Sequence, residues 1–161
     1  CVVIKPRVGG GSWRQVRYRR NSEWPDDTML PPAAAMIQPF IPSIRTEGEY
    51  SFLYFAGQFS HALRKQPAEG DYRIQSTFGG RESSCRPNEE DLAAAAHCLQ
   101  AVEQRFGSLP LYARVDLVRS ETGDLLLSEL ELMEPTLFLK QSPRALEHFV
   151  AAIKRESREA G

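Results

Sequence analysis

Two short apolar runs, residues 112–118 and 125–131, enclose Glu121-Thr122-Gly123-Asp124, a composition suited to a tight turn. If the runs form an antiparallel hairpin centred between Thr122 and Gly123, Asp116 faces Glu129 and Arg114 faces Glu131. Side chains alternate in facing along a strand, so all four lie on one side of the sheet. Three carboxylates in one small patch repel unless a cation neutralises them. Hard oxygen ligands at this spacing suit magnesium, which takes one or two carboxylates together with substrate phosphates. Arg114 sets a fixed positive charge beside them. A solvated face with cross-strand ion pairs would use the same residue types, but Leu117, Leu127, Leu130 and Leu132 make this strand pair too apolar to lie largely open to water.

The elements that must position this patch follow from periodicity and turn chemistry. Asn88 precedes a run in which Leu92, Ala96, Leu99, Val102 and Phe106 recur at helical spacing. Glu89, Glu90 and Asp91 fill its positive first turn, and Gly107 stops it. A second helix is predicted to start at Ser142-Pro143, a cap followed by proline at the first helical position, with Leu146, Phe149, Val150 and Ile153 on a face that packs on a sheet. Residues 2–4 form an apolar strand ending in Lys5-Pro6, the turn Gly9-Gly10-Gly11-Ser12 follows, and a strand resumes over 13–18. Residues 21–32, rich in proline, read as a surface connection. Residues 36–41 recover strand character at a sheet edge, because Pro39 lacks a backbone donor. Residues 51–55 and 58–63 flank Ala56-Gly57 as a hairpin. Residues 66–87 dissolve into Gly, Ser, Arg and Asp and read as an irregular active-site loop. The fold class expected is α+β, a mostly antiparallel β-sheet with two packed helices.

Bulk properties exclude several functions. A chain of 161 residues with 42% hydrophobic content can bury one respectable core. The formal net charge of -1 supplies no field toward nucleic acid or an anionic membrane. Arg14, Arg17, Arg19 and Arg20 beside Trp13 and Tyr18 therefore read as a solvated face or a phosphate-side wall, not as a nucleic-acid surface. No apolar run reaches the ~20 residues of a membrane span, and no signal pattern opens the chain, so a cytoplasmic location is expected. Cys1, Cys85 and Cys98 fit neither a zinc site nor a disulfide framework. His61, His97 and His148 are scattered and read as structural. The opening Cys1-Val2-Val3-Ile4 already reads as a buried strand, as though the chain began partway through a longer protein.

The order of several motifs carries a family resemblance over residues 2–139. Val3-Ile4-Lys5-Pro6 precedes the glycine-rich loop, and Ile37-Gln38-Pro39-Phe40-Ile41, Glu47-Gly48-Glu49, His61-Ala62-Leu63-Arg64, Gly70-Asp71-Tyr72-Arg73 and Phe78-Gly79-Gly80-Arg81 follow in turn. Ala113-Arg114-Val115-Asp116 and Glu129-Leu130-Glu131 with Pro135 complete the set. Taken together these resemble the ATP-binding half of prokaryotic glutathione synthetase and related ATP-grasp ligases, and more closely the glutathione-synthetase-like ligases of the cycloserine-biosynthesis type.

The resemblance implies an ATP- and magnesium-dependent carboxylate–amine ligase working through an acyl phosphate, and it assigns residues. Lys5 would meet the ATP phosphates, with Gly9, Gly10, Gly11 and Ser12 closing backbone amides over them; this is not a Walker loop, since no Gly-Lys-Ser/Thr follows. Gln38, Phe40 and Ile41 would line the adenine and Glu49 would accept the ribose hydroxyls. Arg73 and Arg114 would act on the transferring phosphoryl group and the oxyanion that follows. Asp116, Glu129 and Glu131 become the metal ligands. The implied cofactors are ATP and Mg2+, a role Mn2+ could also fill. The implied partners are small-molecule carboxylate and amine substrates, without nucleic acid or membrane, and a homo-oligomer is compatible with the pattern. Two departures stand out: Glu131 replaces the asparagine of glutathione synthetases, and Ser51 replaces an arginine, which disfavours glutathione as product. The family's first ATP lysine and its N-terminal substrate domain would lie upstream of Cys1, so residues 1–161 are expected to form a partial ATP-grasp domain, inactive alone. The alternative is an ATP-binding scaffold or regulatory module of the same fold without ligase activity.

Overall fold

Strand β1 (Val2–Pro6) buries Val3 and Ile4 on its two faces and anchors the first of two units, Cys1–Pro42. The structure is a computed structural model and describes residues 1–159. β1 lies between β2 (Val16–Tyr18) and β3 (Ala35–Pro39), antiparallel to both. β3 is thus an edge strand, where Pro39 is tolerated. The strand expected over 13–18 starts later, at Val16. Trp13 N–H donates to the Gly10 carbonyl and Gln15 N–H to the Ser12 carbonyl, and Ser12 and Arg14 take positive φ (59° and 50°), so residues 11–14 turn instead of extending. The Phe40 amide donates to the Cys1 carbonyl, and the Arg17 guanidinium lies 5.1 Å from the Phe40 ring centre.

The second unit, Ser43–Gly161, opens with a single helical turn, α1 (Ser43–Thr46). β4 (Glu49–Phe55) and β5 (Gln58–Gln66) form the expected hairpin, closed by Ala56 and Gly57, both at positive φ. β6 (Arg81–Cys85) pairs with the outer side of β5. This corrects the reading of 66–87 as wholly irregular: Arg-Glu-Ser-Ser-Cys lacks apolar alternation because it is an exposed edge strand. α2 (Glu89–Phe106) follows, then β7 (Tyr112–Arg119) and β8 (Leu125–Glu131), giving an antiparallel sheet in the order β6-β5-β4-β7-β8. α3 (Ala145–Glu159) ends the unit. The chain is α+β as expected, with the helices of the described residues all in the second unit and only the three-stranded sheet in the first.

Sheet register sorts side chains by face. Phe52, Tyr54, Ala62, Ala113, Val115 and Leu117 share one face and form the core with Ala95 and Leu99 of α2. The Asn88 side chain caps α2 by accepting the Asp91 N–H at 2.7 Å, and Gly107 ends it at φ 80°, both as expected. Phe106, expected on the buried face, is 67% exposed, since the helix's contact stripe runs Ala95, Leu99, Val102 and stops one turn short. α3 starts at Ala145, just past Ser142-Pro143, and buries its small residues Ala145 and Ala152. Of the larger residues predicted to pack, Phe149 stacks on Phe55 (5.0 Å between centroids), while Leu146, Val150 and Ile153 face outward. The opposite sheet face carries Glu49, Ser51, Leu53, His61, Lys65, Arg114 and Asp116. Cys1, Cys85 and Cys98 are free thiols, and no helix among the described residues is long and apolar enough to cross a membrane.

Candidate active site

The β7–β8 hairpin delivers the expected pairs, Asp116 opposite Glu129 and Arg114 opposite Glu131. The turn itself sits half a residue earlier than expected, with Leu117 opposite Leu127 and Arg119 opposite Leu125. A bulge then absorbs Ser128 and restores the predicted pairing at the acids. One carboxylate oxygen from each of Asp116, Glu129 and Glu131 lies within 4.8 Å of the others. Asp116 is fully buried, Glu131 half-buried and Glu129 exposed, so the patch runs from the sheet interior to solvent.

A carboxylate with no exposure must be paired or it neutralises. Asp116 is paired three ways: Ser51 Oγ donates at 2.5 Å, Lys65 Nζ lies at 3.1 Å, and Arg114 Nε donates at 3.0 and 3.1 Å to its two oxygens. Lys65 Nζ also meets Glu49 at 2.7 Å, and the Arg114 guanidinium pairs with Glu131. Four acids (Glu49, Asp116, Glu129, Glu131) thus face two bases (Lys65, Arg114), a deficit of two positive charges. Burial, together with the neighbouring Asp116, pushes the Glu49 carboxyl above its ordinary range despite Lys65. Burial also raises Glu131, with Glu129 and Asp116 adding to it and Arg114 opposing. Burial alone would lower Lys65 and Arg114, but the surrounding carboxylates outweigh it and hold both protonated. An all-oxygen donor set short of two positive charges fits a divalent cation such as magnesium.

Other candidates fall elsewhere. The Arg73 guanidinium is bidentate on Asp71, holding that carboxyl well below the usual range, and lies 3.8 Å from the Phe78 ring centre. It makes no ion pair with the acidic cluster among the described residues. Glu49, expected at a ribose, is 4% exposed and tied to Lys65. Lys5, Gly9, Gly10, Gly11, Ser12, Gln38, Phe40 and Ile41 all belong to the first unit, at the end of β1, in the turn after it, and along and just beyond β3. Sequence reading missed Lys65 and the use of Ser51 as a donor to Asp116. It also missed that Ser60 links His61 Nδ1 (3.0 Å) to His148 Nδ1 (3.2 Å).

The second unit thus pairs a five-stranded antiparallel sheet, backed by a helix, with Arg-x-Asp and Glu-x-Glu converging on its last hairpin, and comparison with known proteins finds the likeness of the chain among ATP-grasp ligase folds. The crystal structure of D-cycloserine synthetase DcsG superposes with a TM-score of 0.78 at 27% identity, over 96% of this chain and 55% of that one. The cycloserine biosynthesis protein DcsG of Streptomyces lavendulae is 30% identical over 94% of this chain and 53% of its own length. Two structures below 25% identity share the fold: D-alanine–D-alanine ligase from Bacillus anthracis (TM-score 0.61, 18% identity, 99% of this chain, 56% of that one), and ATP-grasp ligase PsnB, solved with a precursor variant, Mg and ADP (0.62, 18%, 95% and 46%). No family model matches the chain. The chain spans about half the length of these relatives.

Proposed function

We propose that the chain supplies the ATP- and Mg2+-binding half of a carboxylate–amine ligase. The observation that carries this reading is the convergence of Asp116, Glu129 and Glu131 within 4.8 Å beside two buried cations. The substrate carboxylate attacks the γ-phosphorus of ATP, ADP leaves, and the resulting acyl phosphate is attacked at its acyl carbon by an amine, which loses a proton as phosphate departs. Arg114 and Lys65 stabilise negative charge on the phosphoryl oxygens and then on the tetrahedral oxyanion. Asp116, Glu129 and Glu131 would hold Mg2+, or Mn2+ in its place. A divalent ion there supplies charge against the ATP phosphates. In the first unit, Lys5 and the Gly9 to Ser12 turn are assigned to the phosphates, and Gln38, Phe40 and Ile41 to the base. Glu49 is assigned to the ribose and Arg73 to the closing loop. The departure at Ser51 leaves no hole in the charge pattern, because Lys65 on the neighbouring strand brings a cation to the same carboxylate.

The test uses the full-length protein that carries this chain, offered ATP, Mg2+ and panels of amino acids and short peptides. Amine-dependent release of ADP and phosphate is expected, and Asp116→Asn or Glu129→Gln should lower kcat by about 100-fold or more. ATP binding without amine-dependent turnover would instead establish a nucleotide-binding module.

A further inference from the structure

We propose that His61 is a positioning residue for Arg114, acting through the backbone of residues 136–138. This rests on the reading of Arg114 as the phosphoryl-facing cation. His61 and Arg114 flank Leu53 in one row across β5, β4 and β7 and project from the same sheet face. Beyond them the chain crosses that face. His61 Nε2 lies 3.2 Å from the Leu137 carbonyl oxygen, and the Phe138 backbone also hydrogen-bonds to the ring. A carbonyl only accepts, so Nε2 carries the proton, and in the neutral ring Nδ1 accepts from Ser60 Oγ, which in turn accepts from His148 Nδ1 on α3. Burial favours that neutral ring by lowering the imidazole's pKa.

The pinned segment is the one that touches Arg114. The Phe138 ring centre stands 5.7 Å from the Arg114 guanidinium carbon, and the Thr136 carbonyl accepts from Arg114 at 3.5 Å. Phe138 sits at φ 47°, a left-handed conformation that a bulky side chain keeps only when its surroundings impose it. The turn that follows holds it from one side, Gln141 N–H donating to the Phe138 carbonyl at 2.8 Å, and His61, anchored at 6% exposure in β5, holds Leu137 on the other. The arginine is held between Asp116 and Glu131 on one side and the Phe138 ring on the other, and the imidazole sets the second side.

The experiment reads Arg114 directly in this chain, by NMR of arginine Nε–H groups, with the Arg114 signal assigned through its loss in Arg114→Lys. The Nε–H of Arg119, bonded to Glu47 at 2.8 Å in a separate network, is the internal control. His61→Leu is expected to speed exchange of the Arg114 Nε–H with water by about tenfold or more and leave Arg119 unchanged. His61→Gln, whose amide nitrogen can still reach the Leu137 carbonyl, should restore slow exchange. Phe138→Leu should reproduce the leucine phenotype with His61 intact, and it decides alone if His61→Leu does not fold. Unchanged exchange at Arg114 in folded His61→Leu or in Phe138→Leu overturns the proposal, and so does a glutamine variant that behaves like leucine. None of these readouts needs turnover, so failure of the ligase reading and failure of this one are separable.

Discussion

At the scale of single residues the acidic cluster is a proton store as well as a candidate cation site. Glu131 and Glu49 are raised above the ordinary carboxyl value of 4.5, both chiefly by burial, and in each a neighbouring acid adds to it. An acid raised in the folded state binds protons more tightly than in the unfolded chain. The metal-free protein should therefore lose stability as pH climbs from about 4.5 through the raised values. A divalent cation must displace those protons, so its affinity should rise with pH over the same window, with protons released on binding. Calorimetry of Mg2+ or Mn2+ binding in buffers of different ionisation enthalpy measures the release. Glu131→Gln is expected to flatten the pH dependence while weakening binding, and a wild-type affinity independent of pH in that window would refute the linkage. The acids were legible in the sequence because their types and spacing alone place them on one face. Lys65 was not. Counting back from the Ala56-Gly57 turn puts Arg64 opposite Glu49, and only the bulge at Ser60 brings Lys65 there instead. Nothing in the residue types announces that bulge.

At the scale of elements, the two hairpins show how one inserted residue decides which side chains meet. In β7–β8 the Ser128 bulge compensated a misplaced turn centre, so the predicted pairs at the site were right although the turn was not. β6 escaped notice because an exposed edge strand has no apolar period, and the α3 face was misread because alanines, not the larger residues, make its contact. The cap and stop of α2 were readable because Asn88 and Gly107 act locally. Two substitutions separate these kinds of control. Asn88→Ala removes one cap bond on the core side of the sheet and should cost about 1 kcal/mol with cation binding unchanged. Gly48→Ala meets a different obstacle: at φ 96° its Cβ would stand 2.3 Å from the Lys65 carbonyl oxygen. The end of β5 must move, drawing Lys65 from Asp116. A loss of about 2 kcal/mol or more and weaker cation binding are expected together. Urea unfolding and a cation titration of both variants check this, and equal effects on binding would contradict it.

At the scale of the whole molecule, a formal charge of -1 means that no long-range field gathers cations. Attraction must come from the local deficit of two positive charges around Asp116, in a patch whose innermost acid is fully buried. Buried charges are screened far less than surface ones, whose interactions fade beyond the Debye length of ~10 Å at 0.1 M salt. Stabilisation by Mg2+ or Mn2+ should therefore persist at moderate ionic strength, and sodium chloride at matched ionic strength should not reproduce it. Because a ligand that binds only the folded state stabilises by mass action, a cation at about one hundred times its Kd adds about 2.7 kcal/mol. For a chain of this size that corresponds to a rise of about 5–10 °C in Tm. Among the described residues all three α-helices lie in the second unit, so the helical circular-dichroism signal reports on the part that carries the acids. Glu129→Gln, an exposed position whose loss should hardly change the metal-free melt, is expected to abolish the shift, and a chelator should reverse it in the wild type. If sodium matches magnesium, or if Glu129→Gln responds like the wild type, Asp116 and Glu131 serve as ion-pair partners of Lys65 and Arg114 and the three acids are not a metal site.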